Sequence, residues 1–325
     1  MEKLQTNYLG LTLKSPVVVG SSRLTSSLKH LEEAEESGAG AVVLKSLFEE
    51  QIDYYIHSHA GTSSYPEADD YIAGYVRSNS VDEYISLIRN AKKNLTIPII
   101  PSVNCLTARG WTDFAAKMAD AGADALEINV FFMPLDRKKS SVDSEKIYFE
   151  LIEKLKRKLK IPVALKIGFR FSNVLYMIDQ FYMRGVEGVV MFNRFFEPDI
   201  DIEKMQIVAS PVFSTSQEMR NVLRWIAMAS SQDINIHISA STGVHSGTDA
   251  LKYLLAGAQT VQVCSVLYSK GIKFVAEINR EITGWMEIKG YRSVDEFRGR
   301  LNRVNYENPA AYERTQFMRY FASED

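Results

Sequence analysis

Gly38-Ala-Gly-Ala-Val-Val-Leu44 introduces a phrase that returns as Gly122-Ala-Asp-Ala-Leu-Glu-Ile128, Gly185-Val-Glu-Gly-Val-Val-Met191 and Gly257-Ala-Gln-Thr-Val-Gln-Val263. Each occurrence follows a segment whose apolar residues recur at helical spacing. The glycine therefore reads as a helix C-cap in the left-handed conformation, and the apolar run after it as a buried strand. A helix-to-strand junction repeated at intervals long enough for a strand, a loop and a helix predicts parallel strands joined by helical crossovers. Short apolar runs near Val17–Val19, Val42–Leu44, Ile99–Val103, Ala125–Ile128, Val163–Ile167, Gly188–Phe192, Ile236–Ser239 and Thr260–Val263 bring the number to eight, which a closed (β/α)8 TIM barrel requires. Such barrels keep their chemistry at the C-terminal ends of the strands.

Around this frame, Leu4–Leu9 and Leu11–Lys14, separated by Gly10, predict a hairpin under the barrel floor, and residues 271–289 a closing helix. Ser80-Val-Asp-Glu83 and Thr215-Ser-Gln-Glu218 have the form of capping boxes. The first opens a helix that presents Val81, Tyr84, Ile85, Ile88 and Leu95 on one face. Ile147, Leu151, Ile152, Leu155 and Leu159 mark another helix, with Glu150–Lys154 and Glu153–Arg157 as solvated i,i+4 pairs. Two connections exceed ordinary turns, 47–80 after the second strand and 194–214 after the sixth. Both lie on the side where binding loops overhang a barrel mouth.

Composition narrows the function. The chain has 325 residues, 46% of them hydrophobic, enough for one large core, and we expect a single barrel domain over 1–325. A net charge of −2 with mixed signs provides no basic stripe, so nucleic acid is an unexpected partner and a small molecule the expected one. Cys105 and Cys264 are the only cysteines, too few for a self-contained four-cysteine cluster or a disulfide framework. No apolar run reaches membrane-spanning length and the first residues lack a leader pattern, so a cytoplasmic protein without membrane attachment is expected.

The residues at the strand ends carry the chemistry. They are Ser21-Ser22, Lys45, Asn104, Asn129, Lys166, Asn193, Ser241-Thr242-Gly243 and Ser265, a polar ring nearly free of acids. Amide and ammonium groups donate hydrogen bonds and stabilise negative charge, which suits a heterocycle such as an isoalloxazine. Gly243 and the helix start after it, with the hydroxyls of Thr242 and Ser265, stand where barrels bind phosphate. Together they predict a phosphorylated planar cofactor. The scarcity of acids disfavours a metal. A flavin-free lyase or synthase acting on a phosphorylated substrate uses the same pocket and stays open as an alternative.

Several segments resemble the dihydroorotate dehydrogenase family of FMN-dependent barrels in pyrimidine synthesis. They are Ser15-Pro-Val-Val-Val-Gly-Ser-Ser22, Ala41-Val-Val-Leu-Lys45, Glu127-Ile-Asn129, Ala164-Leu-Lys166, Phe192-Asn193, Thr242-Gly243-Val-His-Ser-Gly247 and Leu255-Ala-Gly-Ala-Gln-Thr-Val-Gln-Val263. The resemblance implies that Gly20, Ser21, Lys45, Asn129 and Lys166 contact the flavin of FMN, and Asn104, from the strand-end ring, is expected to join them. It places Gly243, Cys264 and Ser265 around its phosphate, beside the Thr242 hydroxyl already expected there, and Asn193 against ring and substrate. It also implies a homodimer. One departure bears on catalysis, for Phe132 stands at the family's cysteine or serine base and Pro134 at an asparagine that holds the substrate ring. A phenyl ring accepts no proton. Replacement bases are sought in the 47–80 loop, among Tyr54, Tyr55, His57, His59 and Tyr65, where His59 and His57 titrate near neutrality. Such a chain is a CH–CH dehydrogenase with an altered base or an FMN protein acting on a different small molecule. With two cysteines, any iron–sulfur relay would belong to a separate electron-transfer partner.

Overall fold

The computed structural model describes residues 2–52, 81–105, 111–130, 132–194 and 197–313. Its frame is a parallel sheet that includes β1 (Val17–Val19), β2 (Ala41–Val43), β3 (Ser102–Cys105), β4 (Leu126–Val130), β5 (Val163–Ile167), β6 (Gly188–Met191), β7 (His237–Ala240) and β8 (Thr260–Val263). Two short segments, Leu47–Phe48 and Ile99–Ile100, bring the sheet to ten segments. Pro101, which has no N–H to donate, separates Ile99–Ile100 from β3. The first piece pairs with β2, and the second pairs with β4 and with Leu47–Phe48. Since β8 also pairs with β1, the sheet curls into a TIM-barrel-like arrangement.

Helices α1 (Leu28–Glu36), α2 (Val81–Asn94), α3 (Trp111–Asp120), α4 (Ser141–Lys158), α5 (Val174–Met183), α6 (Met219–Ala229), α7 (Gly247–Ala256) and α8 (Phe274–Lys289) alternate with the strands. The four repeated phrases follow α1, α3, α5 and α7. Gly38, Gly122, Gly185 and Gly257 all have positive φ, from +82° to +115°. At each, the glycine N–H returns to the carbonyl three residues back, as in Gly38 to Glu35 at 2.9 Å. The next N–H returns five residues back, as in Ala39 to Ala34 at 3.0 Å. This is the Schellman pattern, and it recurs at Ala123 to Met118, Val186 to Phe181 and Ala258 to Tyr253.

The third residue of the phrase has its own task. Asp124, Glu187 and Gln259 accept the N–H of Ile99, Val163 and Ile238 at 2.8, 2.8 and 2.6 Å, satisfying a buried N–H at or next to the start of the preceding strand segment. In the first phrase that position is Gly40, where a Cβ would lie 1.9 Å from the Ser15 carbonyl oxygen. Close backbone approach replaces the side-chain cap there.

Below the barrel, Thr6–Tyr8 pairs with Leu11–Leu13 through a tight turn, Leu9 at φ 56° and Gly10 at φ 77°. Two consecutive positive φ values match the twist of a two-residue hairpin. Leu9 donates its N–H to His237 Nδ1 at 2.7 Å, and its buried side chain comes within 2.5 Å of where a Gly188 Cβ would sit. Val81, Tyr84, Ile85, Ile88 and Leu95 are buried as their spacing requires. Ser80, the cap expected before them, lies outside the described residues. Ion pairing on α4 differs from the expected pattern. Glu150 faces Lys146, one turn back on the same helix, at 3.8 Å, and Glu153 reaches Arg184, the residue that caps α5, at 3.6 Å. The closing helix begins at Phe274, and a short one, Ser265–Lys270, precedes it.

Candidate functional site

Strand register assembles the upper rim of the barrel. Asn104 pairs across to Asn129, and Asn129 to Lys166, so the three share one lateral row. The Asn193 backbone N–H continues the ladder to Ile167 O at 2.8 Å, and its side chain donates to Asn129 Oδ1 at 2.9 Å. Four of the polar residues expected at the strand ends thus form one patch.

Lys166 is buried, 9% exposed, and its ammonium needs compensation. Nζ donates to Gln262 Oε1 at 3.3 Å, and Gln262 Nε2 donates to Glu127 Oε2 at 2.7 Å. Glu127, buried inside the sheet, also accepts from Ser102 Oγ at 3.3 Å. Ser102 Oγ lies 2.8 Å from Ser46 Oγ, which lies 3.0 Å from Ser21 Oγ. Glu127, Gln262, Ser46 and Ser102 were not expected from the sequence as part of the site. The available signal was period two. Glu127 and Gln262 each interrupt an apolar run two residues from a neighbouring inward position, where a polar side chain must find a buried partner. Nearby, Tyr8 and Tyr84 have phenol pKa values raised above the usual range, first by burial and further by the Glu127 charge.

Lys45 follows β2, half-buried, and its pKa is lowered by burial and then by the neighbouring Arg23. Gly20 donates its N–H to Val263 O at 2.9 Å, extending the β8–β1 contact to Ser21. Burial raises the Cys264 thiol pKa, opposed by a hydrogen bond from Ser22 and by the Lys166 charge. His59, with Tyr54, Tyr55, His57 and Tyr65, lies outside the described residues. Phe132 and Pro134 line a cavity of about 340 Å³ with Tyr148, Arg170 and Phe171.

At the end of β7, Thr242 and Gly243 both have positive φ, +79° and +78°. A β-branched residue rarely adopts this conformation, which costs on the order of 1–3 kcal/mol. Thr242 is held from two sides, its carbonyl accepting Tyr253 OH at 2.8 Å and its hydroxyl donating to Phe192 O at 3.3 Å. A Cβ on Gly243 would lie 2.8 Å from Met219 N, so only glycine fits against the start of α6. The expected contribution of the α7 N-terminus to an anion seat needs correction. Ser246 takes the Asp249 N–H, Asp249 takes the His245 N–H at 3.1 Å, and Glu281 takes the Gly247 N–H at 2.8 Å. With carboxylates on two of these three donors and a hydroxyl on the third, an anion would meet repulsion at the helix start. The hydroxyl of Ser265 lies 3.1 Å from Ser214 Oγ.

The connection after β6 forms an arm in which Pro198–Asp201 pairs with Gln206–Ala209. Arg194 clamps its return, with Nε on Glu218 Oε2 at 2.8 Å, Nη1 on Val212 O at 2.8 Å and Nη2 on Pro211 O at 2.9 Å. A cavity of about 640 Å³ runs beneath, lined by Phe192, Asn193, Thr242, Phe213 and Trp225 among others. Of the four patch residues, Asn193 alone lines it.

A family model described as dihydroorotate dehydrogenase matches residues 3–286. The chain is 25% identical over 308 residues to a dihydroorotate dehydrogenase B (NAD(+)), catalytic subunit, of Thermoplasma volcanium, covering 92% of this chain and 98% of that protein. It is 26% identical over 318 residues to a dihydroorotate dehydrogenase (fumarate) of Saccharomyces cerevisiae, covering 93% and 99%. A further dihydroorotate dehydrogenase B catalytic subunit, of Methanocaldococcus jannaschii, is 22% identical over 294 residues, covering 87% and 94%. The matched span contains every strand of the barrel and the whole polar rim, and the chain belongs to the dihydroorotate dehydrogenase family.

Proposed function

We propose that the protein is an FMN-dependent oxidoreductase acting on CH–CH bonds, similar to its relatives in oxidising dihydroorotate to orotate in pyrimidine biosynthesis. Its frame would be a single closed (β/α)8 domain. The observation that carries this is the row Asn104–Asn129–Lys166 with Asn193 bonded to it. These side chains fit a flavin because they include hydrogen-bond donors and a buried cation, able to meet ring nitrogens and carbonyls and to stabilise a reduced anion.

Gly20, Ser21, Lys45, Asn104, Asn129 and Lys166 would hold the ring, and Thr242, Gly243, Cys264 and Ser265 the phosphate. When bound, FMN supplies the hydride acceptor. Lys166 stabilises the charge that develops, and Asn193 orients substrate at the rim. Phe132 does not take the substrate proton. We assign that task to His59, with Lys45, whose pKa burial lowers, supporting the flavin and the substrate beside it. Pro134 removes a donor at the substrate edge, which supports a second reading, an FMN barrel acting on a different small ring.

The relatives are named for NAD(+) and for fumarate, and two of those above are named catalytic subunits. We infer a separate electron-transfer partner and a cytoplasmic location. Among the described residues no helix is long and apolar enough to cross a membrane. A homodimer is supported by the arm, which exposes Ile200, Ile202, Met205 and Ile207, because a two-stranded ribbon does not bury such side chains alone. Releasing the chromophore by heat, weighing it, and adding dihydroorotate anaerobically tests the assignment. FMN that bleaches supports it. FMN that does not bleach moves the case to the second reading, and a colourless protein ends both.

A further inference from the structure

Ser214 belongs to neither of the strand ends expected to hold an anion, yet its hydroxyl meets both. Oγ lies 3.1 Å from Ser265 Oγ, 3.2 Å from His245 Nε2 and 3.4 Å from Gly243 N. Two hydroxyls, one imidazole nitrogen and one main-chain N–H converge on one buried point, and each can donate to an anion. The nearby acid is already engaged, since Asp249 Oδ2 accepts from the His245 backbone N–H and from Ser216 Oγ, each at 3.1 Å, and Oδ1 faces Lys252 at 3.5 Å.

Ser214 is held in place independently of its hydroxyl. Its backbone N–H donates to Ser265 Oγ at 3.1 Å. On one side Arg194 fixes the Pro211 and Val212 carbonyls, and on the other Thr215 N–H donates to Glu218 Oε1 at 2.7 Å. The same Glu218 carboxylate bonds Arg194, so one ion pair clamps the chain before and after Ser214. Rotation about the Ser214 side chain alone re-aims the hydroxyl, with the backbone unmoved.

We propose that Ser214 and His245 are ligands of the cofactor phosphate, completing from the β6–α6 connection a seat that Gly243 and Ser265 only begin. This rests on the FMN assignment above. The chemistry recognised is a phosphate monoester, so riboflavin, which lacks it, is the control.

The test is titration of flavin-free protein with FMN and with riboflavin, read by quenching of flavin fluorescence, for wild type, Ser214→Ala and His245→Gln. Hydrogen bonds to a charged oxygen lead us to expect FMN affinity weakened about tenfold to a hundredfold in each variant, with riboflavin affinity unchanged. Equal weakening of both flavins in folded variants, judged by circular dichroism, would overturn the proposal and leave Ser214 a loop anchor. Unchanged FMN affinity in both variants would overturn it too. Should Ser214→Ala fail to fold, His245→Gln decides by the same criterion. Wild-type protein that binds neither flavin would instead remove the FMN assignment, and the proposal with it.

Discussion

At the floor of the barrel, Leu9 and Tyr8 pack into an interior cluster with Ala41, Val43, Ala125, Ala164 and Val190. At the mouth, the same strands end in Asn104, Asn129 and Lys166 above a buried carboxylate. The floor is close-packed and apolar, its one left-handed non-glycine residue, Leu9, set in the hairpin turn, whereas the mouth carries a buried ammonium, a left-handed threonine and a hydroxyl chain. Side chains at the floor are chosen by volume, and those at the mouth by the bonds they can make. The difference predicts that floor substitutions cost stability and mouth substitutions cost chemistry.

The largest effect is expected at the floor. Gly40→Ala would place a Cβ 1.9 Å from a backbone oxygen that cannot give way. The loss should be on the order of 4 kcal/mol or more, seen in thermal melts as loss of the cooperative transition. Leu9→Ala should follow at about 2–5 kcal/mol by denaturant unfolding, with flavin affinity of the folded fraction unchanged. An altered flavin affinity would show that the two ends are coupled.

Lys166→Ala sharpens the contrast from the other side. Turnover should fall about a hundredfold to a thousandfold, by analogy with the loss of a group that stabilises transition-state charge, while the melting temperature moves little. A collapse of stability with no specific loss of turnover would make Lys166 a structural counter-ion of Glu127.

The smallest effect is a pH dependence at the floor. Burial, then Arg298, lowers the His237 pKa below 6.5, and the neutral ring accepts the Leu9 N–H. The unfolded chain binds a proton that the folded chain resists. Stability is therefore fully present above about pH 6.5 and falls as pH drops from there toward the lower folded value. After solvent screening the change should stay below about 1 kcal/mol, and His237→Gln should flatten it.

Much of the frame was legible because its signals are local. A Schellman cap is written within six residues, so Gly38, Gly122, Gly185 and Gly257 announce themselves. The amide and ammonium residues at the rim were legible for a related reason. A strand end is a sequence position, and Asn129 and Lys166 occupy equivalent ones. Glu127 and Gln262 were not, since they are 135 residues apart and meet only when the sheet curls. Ser214 was hidden for the same reason, as its partner Ser265 is 51 residues away and the Arg194 clamp delivers it.

The amino-acid sequence by itself determined where helices stop, where strands begin and which strand ends are polar, because each depends on bonds and periodicities that span a turn or two. Only the tertiary structure decided which of those polar groups touch. Their partners are set by strand register and loop path, and a buried charge is stabilised by whatever the curled sheet brings within hydrogen-bond distance.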